Sequence, residues 1–158
     1  WVLRFLCLTL AVTPLRDWAG WTALLRHRRM LGLFTFFYAV VHFLCYAWLD
    51  MGLNAGDILR DIPKRPFILV GTAAWLALMP LAATSFNAAV RKLGGQAWKD
   101  LHKLTYAIGP IALLHFFWMR AGKNNFGEVA VYAAIVGVLL GWRWWKRWSS
   151  PQRSMAKA

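Results

Sequence analysis

The sequence predicts an all-α integral membrane protein, a helical bundle with about five spanning helices, and three observations predict it. Hydrophobic residues make up 59% of the 158 positions and charged residues only 16%, more apolar and less charged than an ordinary soluble domain. LGLFTFFYAVVHFLCYAWL (31–49) holds one histidine and no Asp, Glu, Lys or Arg, and FILVGTAAWLALMPLAAT (67–84) holds no charged residue at all. Each run approaches the roughly 20 residues a bilayer crossing needs at about 1.5 Å per residue. Finally, the basic residues gather in the short segments between apolar runs, the pattern that orients membrane helices.

Taken in order, the first span covers about 1–15 and ends at Pro14 and Arg16. It lacks the basic start and cleavage site of a signal peptide, so the expectation is a chain that begins partway into a helix, with an N-terminal part missing. The basic segment RDWAGWTALLRHRR leads to the second span at about 30–49. DMGLNAGDILRDIPKRP, which mixes acids and bases, leads to the third at about 67–85, and NAAVRKLGGQAWKD to the fourth at about 101–119. RAGKNNFGE then leads to the fifth at about 129–145. Trp142, Trp144, Trp145 and Trp148 suit an interfacial belt at its end, before a polar tail at 149–158.

A net charge of +13 invites a nucleic-acid reading, but no basic patch with stacking aromatics stands outside the membrane runs. Thirteen of the nineteen Lys and Arg fall on one side of the expected bundle, opposed there only by Asp17 and Asp100. That side is assigned to the cytoplasm. Cys7 and Cys45 lie in apolar runs with no CxxC or CxxCH, so neither a thiol-redox motif nor covalent c-type haem is indicated.

The histidines carry the chemistry. The second and fourth spans run in the same direction. His42 lies fourteen residues beyond Arg28 and His115 thirteen beyond His102. At about 1.5 Å per residue these place His42 and His115 at matched depth, roughly 20 Å from the cytoplasmic rim. Two imidazoles so placed suit the axial ligands of a haem held between helices. A proton or ion relay, another metal site, and a plain hydrogen bond to a neighbouring carbonyl compete with that reading. On an ideal helix His102 and His115 lie about 140° apart around the axis. Gly109-Pro110 between them is where a kink can change the phase. His102 lies at the inner rim, where its depth partner on the second span is near Arg28 and the only histidine is His27, in the basic loop. Arg28, Arg29 and Lys103 inside, and Lys64, Arg65 and Arg120 outside, suit haem propionates or lipid phosphates.

RRMLGLFTFFYAVVHFLCY (28–46), KRPFILVGTAAWLALMPLAATS (64–85) and LGGQAWKDLHKLTYAIGPIALLHFFW (93–118) resemble the ferric reductase-like transmembrane family. Within it they are most similar to the haem-binding membrane subunits of bacterial periplasmic methionine sulfoxide reductase systems. The resemblance spans about residues 1–148, which it implies to be a haem-binding transmembrane domain, with 149–158 a cytoplasmic tail. It implies that His42, His102 and His115 ligate haem iron, in one or two b-type haems, with His27 as a weaker candidate. Where oxidase relatives carry a second histidine on the helix matching 30–49, this chain has Arg28. No GxGxxG or P-loop is present. The resemblance therefore implies a separate donor, the quinol pool or a cytosolic flavin reductase. It also implies a periplasmic molybdenum-containing methionine sulfoxide reductase as acceptor, bound FMN, and an electron-transfer rather than catalytic role in the bacterial inner membrane. The alternative from another class is a transporter or proton relay built on the same histidines.

Overall fold

The computed structural model describes residues 1–122 and 124–149; Lys123 and residues 150–158, most of the expected tail, lie outside the described residues. Eight α-helices and one π-helical turn follow in order, and no strand occurs among the described residues. The five long ones are α1 (Val2–Ala19), α2 (Leu24–Cys45), α4 (Pro66–Ala83), α7 (Thr105–Ala121) and α8 (Gly127–Ser149). Three short ones, α3 (Ala55–Asp61), α5 (Asn87–Leu93) and α6 (Gly95–His102), lie in the connections.

Local chemistry sets these boundaries. Gly20 closes α1 with φ 70° and returns its N–H to the Arg16 carbonyl, the left-handed cap that glycine adopts without strain. The Asn54 side chain accepts from the Gly56 and Asp57 N–H groups and starts α3. Pro66 opens α4, where its missing N–H leaves nothing unpaired. Beyond Cys45, α2 continues as the π-helical turn Tyr46–Asp50.

The α2 segment extended to Asp50, α4 and α8 are long and apolar enough to cross a membrane. Of the other two expected spans, α1 carries Arg4, Arg16 and Asp17 within 18 residues, and α7 has 17 residues, at the short end of the spanning range. Apolar side chains face outward along these helices, including Phe37, Leu44, Leu76, Val131 and Val138. An exposed apolar surface of that kind fits lipid as the solvent.

Helices α1, α2, α4 and α7 close a ring in which α1 packs on α2, α2 on α4, α4 on α7 and α7 on α1; α8 packs outside against α1 and α7. The apolar centre is Leu6, Leu10, Ala39, Leu78, Leu81 and Ile108. One polar pin crosses it. Pro14 has no N–H, so the Leu10 carbonyl four residues earlier loses its intrahelical donor. Arg143 of α8 supplies one: its Nη2 donates to the Leu10 oxygen at 2.5 Å, and its guanidinium lies 5.1 Å above the Tyr106 ring. A neighbouring helix thereby satisfies the freed backbone group, as a low-dielectric medium requires. Arg143 itself is buried at 9% exposure. Trp144, Trp145 and Trp148 remain exposed around it.

Candidate functional site

Two cavities occupy the ring, and Leu6 and Leu78 border both. The outer one is about 820 Å³ and the inner one about 50 Å³. Cofactor pockets run from about 300 to 1,000 Å³, so only the outer cavity has the volume for a macrocycle. The inner one is nearer the scale of water, about 30 Å³ per molecule.

His42 of α2 and His115 of α7 face each other across the outer cavity with ring centres 6.0 Å apart and planes at 75°. Two imidazoles that share a metal through nitrogen bonds of about 2 Å have ring centres roughly 6 Å apart. The separation therefore fits one iron without movement of either helix. His115 is held from behind: its Nδ1 donates to the Phe67 carbonyl of α4 at 2.7 Å, which leaves Nε2 as the nitrogen with a free lone pair. Gly71, one turn on, makes room for the ring; a Cβ there would lie 2.7 Å from Nδ1 and 2.8 Å from Cε1. Phe43, beside His42, stacks on Trp75 at 4.4 Å and 6°, and both line the cavity.

The cavity's outer end is charged. Arg4, Arg65 and Arg120 line it together with Asp50 and Glu128. Arg120 donates to Glu128 at 2.6 Å and Arg4 to the Tyr132 hydroxyl at 3.3 Å. Arg65 is ion-paired to Asp61, and Tyr46 donates to the same Asp61 oxygen at 2.7 Å. Hydrogen bonds from Arg65, first, and from Tyr46 hold the Asp61 carboxyl below its usual range. Lys64 does not line the cavity.

His102 belongs to a different place. It ends α6 and not the first turn of the helix that carries His115: Lys103 donates back to Asp100 and Leu104 to Leu101, both at 3.1 Å. These are bonds of 3₁₀ type, advancing about 120° per residue against about 100° in an α-helix, so the two recover about 40° of the expected offset. The phase change thus falls at 103–104, and α7 continues through Pro110. His102 stacks on Trp98 at 3.9 Å and its Nδ1 donates to the Trp98 carbonyl at 3.0 Å. Its Nε2 is buried without a hydrogen bond of ordinary geometry, beside the inner cavity. That nitrogen is open to a ligand, and it borders the smaller of the two cavities.

The remaining sequence candidates part company. Arg28 and Arg29 line the inner cavity with His102, and Arg29 donates to Asn87 at 2.7 Å. His27 lies in the first turn of α2 rather than in a loop; it is exposed and lines neither cavity, because α2 begins at Leu24 and turns it outward. Lys103 is exposed and paired with Asp100, so it is not available to a group inside the bundle. Gly71, the Phe67 carbonyl and the Asp61–Tyr46 pair were not among the sequence candidates. Asn54 before α3 and Pro66 opening α4 were the local signals that could have placed Asp61 and Arg65 at one helix junction.

Residues 1–113 match the family described as the ferric reductase like transmembrane component. A protein-methionine-sulfoxide reductase heme-binding subunit MsrQ from Polaromonas naphthalenivorans is 61% identical over 156 residues, covering 99% of this chain and 71% of the relative. Proteins of the same name from Ralstonia nicotianae and Herminiimonas arsenicoxydans are 54% and 49% identical, covering 94% and 93% of this chain and 68% and 69% of their own. No solved structure matches the chain.

Proposed function

This chain belongs to the ferric reductase-like transmembrane family, and from that premise we propose that it is the haem-binding membrane subunit of a methionine sulfoxide reductase system. It holds one b-type haem between His42 and His115. The carrying observation is the 6.0 Å separation of those rings across a cavity of about 820 Å³; the relatives' printed names supply the cofactor. When bound, the haem supplies one-electron redox chemistry.

The chain's own groups do the rest. His42 and His115 approach from opposite walls, and the Phe67 carbonyl holds His115 in the tautomer that leaves Nε2 basic. Leu6, Ala39, Ile108 and Leu78 line the inward part of the cavity and keep water from it, which helps set the potential. Electrons enter from the basic, cytoplasmic side, from the quinol pool or a flavin reductase. They leave toward a periplasmic molybdenum-containing enzyme that repairs oxidised methionine in proteins, across the bacterial inner membrane.

Reduced-minus-oxidised spectra with iron counted per chain test it. The purified protein is expected to show sharp, low-spin reduced bands, and His42→Ala and His115→Ala to lose them while staying folded by circular dichroism. A His42→Ala protein with full haem content and an unchanged spectrum overturns the assignment.

A further inference from the structure

The geometry points to Arg65 as the residue that holds a carboxylate of the porphyrin bound between His42 and His115, with Asp61 as the positioning residue behind it. This rests on the haem reading above and adds the anchor for the cofactor's charged edge.

Three arginines line the outer end of the cavity, and their surroundings differ. Arg120 has Glu128 and the Phe116 ring, and Arg4 the Tyr132 hydroxyl and the Trp1 ring, whereas Arg65 has two bonds to one carboxylate and two rings. Its Nε donates to Asp61 at 2.9 Å, a second hydrogen bond runs from Nη2 to the same oxygen, and its guanidinium lies 5.9 Å from the Tyr46 ring and 5.8 Å from the Phe67 ring. The Tyr46 hydroxyl, bound to the same Asp61 oxygen, also lies within hydrogen-bonding reach of the guanidinium, and the bonds to Asp61 use Nε and Nη2, not Nη1. Asp61 does not line the cavity, so it orients the guanidinium from outside without presenting its own charge to a ligand. Arg65 is also the residue before α4, two positions ahead of the Phe67 carbonyl that holds His115. One backbone segment therefore fixes both the axial imidazole and the cation. Tyr46 ties that segment to α2 four residues beyond His42. The positive end of α4 lies at the same point and adds to the field. A pre-oriented guanidinium with parallel N–H groups is the donor that recognises a carboxylate by two bonds.

The chemistry predicts a preference that can be read without any enzymatic turnover. The full chain, purified and freed of cofactor, is titrated with haem and with haem dimethyl ester, which keeps the iron and ring but lacks both carboxylates. Wild type is expected to bind the free acid at least about tenfold more tightly, the scale of a charge-assisted hydrogen bond. Arg65→Gln is expected to erase most of that preference by weakening the free acid and leaving the ester unchanged, and Arg65→Lys to restore part of it. Asp61→Asn, which keeps the cation but frees it, is expected to give an intermediate preference and covers the case of an Arg65 variant that fails to fold. Equal binding of acid and ester by wild type, or a full preference in folded Arg65→Gln, overturns the inference while the haem site stands. Binding of both compounds that survives His42→Ala and His115→Ala unchanged overturns the haem reading itself.

Discussion

Gly71→Ala is a one-carbon perturbation aimed at the axial ligand. A Cβ on Gly71 lies 2.7 Å from His115 Nδ1, about 0.7 Å short of the 3.4 Å at which ordinary contact begins. The obstacle is a ring fixed by its own hydrogen bond to the Phe67 carbonyl, so the ring must leave that bond or α4 must shift from α7. Overpacking of this kind costs about 1–3 kcal/mol, and the displaced hydrogen bond about 0.5–1.5 kcal/mol more. Together, about 1.5–4.5 kcal/mol, they weaken haem binding by roughly 10- to 2,000-fold. The assay is a haem titration of the cofactor-free protein followed in the Soret region, with circular dichroism to establish that the bundle is intact. Gly137→Ala in α8 is the control, because a Cβ there meets nothing within 4 Å. A Gly71→Ala protein that binds haem within about threefold of wild type, with the same spectrum, refutes the packing argument.

Arg143→Met should destabilise the bundle by leaving the Leu10 carbonyl unpaired, about 1–3 kcal/mol, and Pro14→Ala should rescue part of that by restoring an intrahelical donor; additive effects in a double-mutant unfolding cycle would argue against the pin. Asp61 has a lowered pKa because Arg65 and Tyr46 hydrogen-bond its charged form, so the stability it gives is present above the unfolded-state value of about 3.9 and is lost as pH falls through the lower folded value. Thermal melts from pH 6 downward should therefore show an acid loss that Asp61→Asn removes; an identical acid profile in the variant would count against it. His102→Ala should keep the low-spin haem signature, since His102 borders the other cavity; loss of that signature in a folded variant contradicts the separation of the two sites.

How much of this was legible in the sequence varies with the range of the interaction. The spans around 31–49 and 67–84 were plain because hydropathy is a sum over neighbours, and the depth match of His42 and His115 followed from counting rise along co-directional helices. The break before α7 was hidden, because Leu101 and Leu104 keep the apolar run unbroken while the backbone changes its bonding. Gly71 was invisible for another reason: a glycine in an apolar helix reads as a small filler until the ring packed on it is known. Arg143 sits between tryptophans in a basic stretch, with nothing local to mark it as buried. Its partner is a carbonyl 133 residues away, freed by a proline, and no local pattern joins the two.

The most direct test of the central claim is the electron paramagnetic resonance spectrum of the ferric protein. Two imidazoles on one iron make it low-spin, and ring planes near the observed 75° leave two iron d orbitals nearly equal in energy, which gives a strongly anisotropic signal. That signal, lost in both His42→Ala and His115→Ala, is the predicted result. A high-spin signal from the wild-type protein would mean that the two histidines do not grip the same iron.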